Sequence, residues 1–263
     1  MRYRAVIFDI DGTLVPKELD APTRRVTGAV RTLRESGCKV IIATGRSLAA
    51  AREVLGPVEA DYFVTANGGR VTDEQGKCLY ENPMTQEEMY ALVDYCEDYE
   101  IPLLFVYPDG YYCYTEYEAY REAYASSESS LRVLFDGEDQ VRHLEGLPSG
   151  AGALMSAAQL EGFQEKYGHL GLCFAPYWEG AYDIMRASTN KALSTGKLLE
   201  MLGIGWEEAA AVGDGLDGAE LMEHAGFSVA MGNACEELRK AADAVAPPAS
   251  EDGTAAAIET YFL

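Results

Sequence analysis

Apolar runs of strand length alternate with amphipathic stretches of helix length at both ends of this chain, but not in its middle. Residues 3–8 read as a strand, 22–36 as a helix stopped by Gly37, and 39–43 as a buried strand. Ser47 is placed to cap a helix reaching Leu55. Residues 62–65 form a third strand, followed by the turn Asn67-Gly68-Gly69 and a hairpin over 70–80. After Pro83 the pattern changes. Residues 86–100 are helical, with Met89, Leu92, Val93 and Cys96 on one face, and 103–114 read as two strands around Pro108-Asp109-Gly110. Less regular segments continue to Asp183. Alternation then returns: a helix opened by Ser188 and ending at Leu202, a strand over 209–212, and a helix over 216–225. A strand over 227–230 and helices over 235–241 and 253–261 complete the chain. Such alternation specifies a parallel sheet. The expected fold is therefore α/β, a doubly wound parallel-sheet (Rossmann-like) core from residues 1–82 and 184–263, with an α+β domain inserted at 83–183.

Charge supports the same division. The chain carries a formal −22, of which residues 84–183, with 19 acidic and 4 basic side chains, account for −15. Neither nucleic acid nor an anionic membrane is attracted to such a surface over any distance, so both are excluded as expected partners. The six cysteines are scattered without a CxxC, and three histidines make no zinc pattern. Free thiols in a reducing cytoplasm are the simplest account. The apolar N-terminal run is broken at once by Asp9 and Asp11 and reads as a buried strand, not a secretion signal.

The chemistry concentrates where that first strand ends, in Asp9-Ile10-Asp11-Gly12-Thr13-Leu14. Carboxylates two positions apart on an extended segment share a face, and Gly12 lets the backbone turn tightly beside a bound group. In open α/β sheets ligands sit outside the carboxyl ends of the strands. Two acids there can divide nucleophile or metal-ligand work from general acid and base work.

This DxDGTL stretch resembles the first motif of the haloacid dehalogenase-like superfamily, most of whose members are phosphatases. The resemblance implies that Asp9 attacks phosphorus. It also implies that Asp11 protonates the leaving group and then activates the water that opens the aspartyl phosphate. Thr44-Gly45-Arg46, closing the second strand, is similar to the second motif, with Thr44 on a phosphoryl oxygen. Arg46 is left open between substrate contact and a place at the helix start, and Gly12, Gly45, Arg46 and Asn67 are expected to line the substrate. Lys191 stands in the first turn of a helix, where the dipole disfavours a cation. It corresponds to the third-motif lysine that pairs with nucleophile and phosphoryl group.

Gly213-Asp214-Gly215-Leu216-Asp217-Gly218 resembles the fourth, metal-binding motif, and implies Mg²⁺ held by Asp9, Asp11 (through its backbone carbonyl) and Asp214. The family pattern Gly-Asp-Ser-x-Asn-Asp is broken here at Gly215, Asp217 and Gly218. Asp217 is read either as a compensating metal or second-sphere group or as a helix N-cap. Asn67-Gly68-Gly69, Met231-Gly232-Asn233-Ala234 and Glu251-Asp252-Gly253-Thr254 are similar to segments of the Cof-type (class IIB) phosphatases, whose cap domain suits the insert. The expected partner is a small phosphate monoester such as a sugar phosphate. A sugar phosphomutase and a weakly active phosphate-ligand binder are the alternatives.

The insert has few cations (Arg121, Arg132, Arg142, Lys166) and many tyrosines: Tyr107, Tyr111, Tyr112, Tyr114, Tyr117, Tyr120 and Tyr124. These, with Pro176-Tyr177-Trp178, pack a small domain or wall a sugar or nucleoside leaving group.

Overall fold

The computed structural model describes residues 3–125, 131–215 and 218–263. Strands from both ends of the chain build one sheet. They are β1 (Ala5–Phe8), β2 (Lys39–Ala43), β3 (Tyr62–Thr65), β4 (Arg70–Asp73) and β5 (Cys78–Glu81). The middle of the chain supplies β6 (Leu103–Tyr107), β7 (Gly110–Thr115), β8 (Leu134–Asp136), β9 (Gly150–Leu154), β10 (Leu172–Trp178) and β11 (Ala181–Arg186). The first sheet is completed by β12 (Ala209–Gly213), β13 (Phe227–Ala230) and β14 (Ala244–Val245).

The larger sheet runs β14-β13-β12-β1-β2-β3-β4-β5. It is parallel from β14 to β3, and β4 and β5 add an antiparallel edge. β1 sits between β12 and β2, in register Phe8↔Val212 and Phe8↔Ile42. Both of its faces are covered, which is why all four of its residues are apolar and buried. Val6 and Phe8 join Val30, Leu33 and Ile258 on one side. Ile7 joins Ile41, Leu198 and Leu199 on the other. Each such side chain stabilises the fold by roughly 1.5–3 kcal/mol relative to exposure.

The second sheet runs β10-β11-β9-β6-β7-β8. It is antiparallel except for the β7–β8 pair. The helices Gln86–Asp98 and Ala157–Tyr167 share its core through Met89, Leu92, Tyr95 and Phe163, which meet Phe105 and Tyr114. Its last strand, β11, extends to Arg186, beyond residue 183. The sheet docks on the core through Ala49 N–H to the Pro108 carbonyl at 2.9 Å and Ser47 N–H to the Tyr111 hydroxyl at 3.2 Å. The fold is α/β, a doubly wound sheet carrying an inserted α+β unit.

One helix start differs from expectation. Asn190, not Ser188, caps the helix Lys191–Leu202, its side chain accepting from Leu193 N–H at 2.6 Å. The Asn82 side-chain amide instead takes the hydroxyls of Ser188 (3.0 Å) and Thr189 (2.7 Å), tying this segment to the end of β5.

All six cysteines are free. Burial pushes the Cys38 and Cys96 thiols up to about 12, so neither is a nucleophile at neutral pH. Among the described residues no helix is long and apolar enough to cross a membrane.

Candidate active site

β1, β2 and β12 end side by side, and the loops leaving their carboxyl ends carry the expected chemistry. Asp9 N–H donates to the Val212 carbonyl at 3.1 Å, which locks the end of β1 to β12, two residues before Asp214. Lys191, in the first turn of its helix, reaches the Asp9 carboxylate: Nζ lies 3.2 Å from Oδ1. The lysine side chain is only 2% exposed and that of Asp9 15%, so this ion pair is largely shielded from water. The helix dipole opposes a cation there; the carboxylate opposite offsets it.

Asp214 is the floor of the site. Its Oδ1 accepts from the Thr13 hydroxyl at 3.1 Å, and its Oδ2 accepts from the Asn233 amide at 3.2 Å. Asn233 also donates to the Gly12 carbonyl at 2.8 Å, and the Thr254 hydroxyl donates to the Thr13 carbonyl at 2.6 Å. The loops around Asn233 and Thr254 therefore brace the 12–13 turn and its carboxylate. Gly12 has φ +76°, and a Cβ there would overlap the Asp214 carboxylate, so both conformation and space call for glycine. Lys17 completes the set, its ammonium 3.3 Å from Asp214 Oδ2. That lysine went unnoticed in the sequence, where an exposed lysine beyond the motif carries no signal.

Asp11 is engaged by a cation of its own. Arg46 grips it with both edges, Nε to Oδ2 and an Nη to Oδ1, each at 2.8 Å. Burial alone would lower the Arg46 pKa, but these bonds and the Asp11 charge outweigh it and raise the pKa above its ordinary value. Thr44 is buried and accepts from Arg46 N–H at 3.2 Å, which shapes the turn at the end of β2.

Gly45 and Asn67 lie beside a residue that sequence reasoning passed over. The Asn67 amide donates to Asp183 Oδ2, on β11 of the second sheet, at 2.8 Å. A Cβ on Gly45 would stand 3.1 Å from the same oxygen. The structure thus pairs Asp9 with Lys191, sets Gly12 against Asp214, and pairs Asp11 with Arg46. It sets Gly45 and Asn67 against the insert. Asp217 lies outside the described residues.

A divalent cation could be held by the Asp9 and Asp214 carboxylates with the main-chain carbonyl of Asp11. These are hard oxygen donors, and the Lys17 ammonium at Asp214 marks a place that accepts positive charge. Among the described residues no cluster of three His, Cys, Asp or Glu side chains forms a full cage. A small, mostly apolar cleft runs from Asp9 and Lys191 to Gly218 past Ile7, Ala211, Leu221 and Met222.

A family model of haloacid dehalogenase-like hydrolases matches residues 6–258. This chain belongs to that family. The hydrolase is 29% identical to a phosphoglycolate phosphatase of Methanosarcina acetivorans over 98% of this chain and 96% of that one. It is 24% identical to the Bacillus subtilis 5-amino-6-(5-phospho-D-ribitylamino)uracil phosphatase YcsE, over 99% and 96%. Among solved structures, the subclass IIB sugar phosphatase BT4131 superposes with a TM-score of 0.79 at 24% identity, covering 98% of each chain.

Proposed function

We propose that this hydrolase is a Mg²⁺-dependent phosphatase that cleaves monoesters of small hydroxylated metabolites, sugar phosphates among them, through an aspartyl phosphate on Asp9. The observation that carries the reading is the buried Lys191 ammonium 3.2 Å from Asp9 Oδ1 at the mouth of the parallel sheet. A carboxylate held by a shielded cation is a nucleophile kept ionised and aimed. The phosphatase relatives aligned over nearly the whole chain support the same reaction class.

In this reading an Asp9 oxygen attacks phosphorus, and the bond from phosphorus to the ester oxygen breaks. Asp11 gives its proton to the departing alkoxide. It then takes one from the water that attacks the aspartyl phosphate, releasing inorganic phosphate and free Asp9. Arg46 occupies both oxygens of Asp11, so their pair opens before Asp11 meets a leaving group. Arg46 is then free for a phosphoryl oxygen. Thr44 and the amides after Asp9 hold the phosphoryl group in line. Mg²⁺ held by Asp9, Asp214 and the Asp11 carbonyl would offset charge on the phosphoryl oxygens as anionic Asp9 approaches. Lys191 adds to that neutralisation.

The test is phosphate release from a panel of sugar, polyol, nucleotide and carboxylate monoesters, with Mg²⁺ and with EDTA. Release from at least one ester, lost in EDTA, is expected; a fully silent panel in excess Mg²⁺ rejects the assignment.

The family carboxylate missing at Gly218 gives a second expectation. A Cβ at Gly218 would meet nothing within 4 Å, its φ of −95° suits any residue, and it lines the cleft with Asp9. Gly218→Asp should tighten Mg²⁺ binding by about tenfold, as an added carboxylate near a divalent ion does. Titration calorimetry checks this without reference to turnover, and unchanged or weaker binding refutes it.

A further inference from the structure

We infer that Asp183, with the phenols of Tyr111, Tyr124 and Tyr177, forms a leaving-group chamber that admits neutral hydroxyl-bearing groups and rejects a second anionic group. The inference rests on the phosphatase reading and adds to it a charge rule for the substrate.

Asp183 projects from the inserted sheet onto the turn that follows Thr44. It accepts from Asn67 at 2.8 Å and stands against Gly45. The Tyr111 hydroxyl accepts from Ser47 N–H at 3.2 Å, above the same turn. The Tyr124 and Tyr177 hydroxyls lie 3.3 Å apart, and the Tyr124 ring meets the edge of Trp178 at 5.5 Å. Burial pushes all three phenols up from their ordinary values, and the Asp183 charge pushes each further the same way. Tyr111 and Tyr124 pack on Leu104 and Val106, and the register Asp183↔Gly152↔Leu104 sets Asp183 on that same face of the sheet, with Tyr177 joined to it through the Tyr124 hydroxyl.

The cations that could welcome an anion are engaged elsewhere. Arg46, held by Asp11 through Nε and an Nη, leaves it only for the transferring phosphoryl group and so cannot serve a second anion. The insert's own cations each face a carboxylate: Arg121 with Glu118, Arg132 with Glu53, Arg142 with Asp109, Lys166 with Asp98. Arg186, on the same strand as Asp183, is paired with Glu88 at 3.1 Å. A carboxylate or second phosphate on the leaving group would meet Asp183 after Arg46 has gone to the transferring phosphoryl group, with the insert's cations already paired. A polyol hydroxyl instead donates to Asp183 and exchanges hydrogen bonds with the phenols, while its C–H face lies on aromatic rings. Selectivity here comes from a repulsive element as much as from attraction.

The test compares sorbitol 6-phosphate with 6-phosphogluconate, which differ in one terminus, hydroxymethyl against carboxylate. The wild-type enzyme is expected to favour the first in kcat/KM by about 30-fold or more, since like charges at short range are strongly penalised. Asp183→Asn should lower kcat/KM for sorbitol 6-phosphate, which loses an acceptor, and raise it for 6-phosphogluconate, chiefly through KM. General damage to the fold would lower both. A wild-type ratio near one, or a preference for the carboxylate, overturns the inference even if the variant fails to fold. So does a variant that shifts both substrates alike. p-Nitrophenyl phosphate separates the two readings: its hydrolysis keeps the phosphatase reading whatever the ratio, whereas silence toward every ester removes both.

Discussion

Asp9→Asn is expected to lower phosphate release by about 10⁴-fold or more while leaving the protein folded, the scale seen when a covalent nucleophile is removed. The substitution keeps the side-chain shape and one oxygen that can accept from the Lys191 ammonium, now 3.2 Å from Oδ1. What it removes is the charge and the electron pair that form the bond to phosphorus. The retained oxygen leaves the buried Lys191 ammonium an acceptor, so the ion pair weakens to a hydrogen bond and is not abolished. Circular dichroism should therefore be unchanged and the melting temperature should move by only a few degrees. Full-rate turnover by the variant would mean that another group carries the phosphoryl transfer. An unfolded variant would mean that Asp9 is structural first, and either result contradicts the proposed role.

Much of the fold was legible because it depends on near-neighbour patterns. β1 and β12 announce themselves as unbroken apolar runs, since strands covered on both faces leave no room for polar side chains. The turn at Gly12 was legible for a similar reason: a small residue directly after two acids says that the backbone must pass close to something. What it passes close to, the Asp214 carboxylate, is 202 positions away and needs coordinates. Pairings of that kind define the rest of the site. The Asn67–Asp183 bond depends on how the insert docks on the core, and no periodicity encodes it. Arg46 illustrates the limit best. Its position after Thr-Gly was visible, but its two-edged grip on Asp11 follows from loops at the ends of adjacent strands β1 and β2. Ser188 misled because Ser and Asn are both good caps, and only the competing hydrogen bonds from Asn82 decide between them.

Lys191→Met should damage both turnover and stability, and the two losses should separate. Methionine fills most of the lysine's volume with no charge, at a side chain only 2% exposed. The Asp9 carboxylate is then left mostly shielded, without the ammonium at 3.2 Å. Breaking a buried pair by removing one partner typically costs about 3–5 kcal/mol, and Asp9's residual contact with water argues for the lower end. For a chain of this size that corresponds to a fall of roughly 5–10 °C in melting temperature. Combining the change with Asp9→Asn removes the stranded charge, so the double variant should melt above Lys191→Met alone, with a coupling of about 1–3 kcal/mol. Turnover behaves differently. Loss of a cation that neutralises the phosphoryl oxygens should cost about 10²–10³-fold, comparable to losing one transition-state donor elsewhere. Repairing the stability through Asp9→Asn returns none of that rate, because the nucleophile goes with it. If Lys191→Met melts like the wild type, the pair is not a shielded one. If the double variant melts no higher than the single, the destabilisation comes from packing around position 191 rather than from the carboxylate it faces.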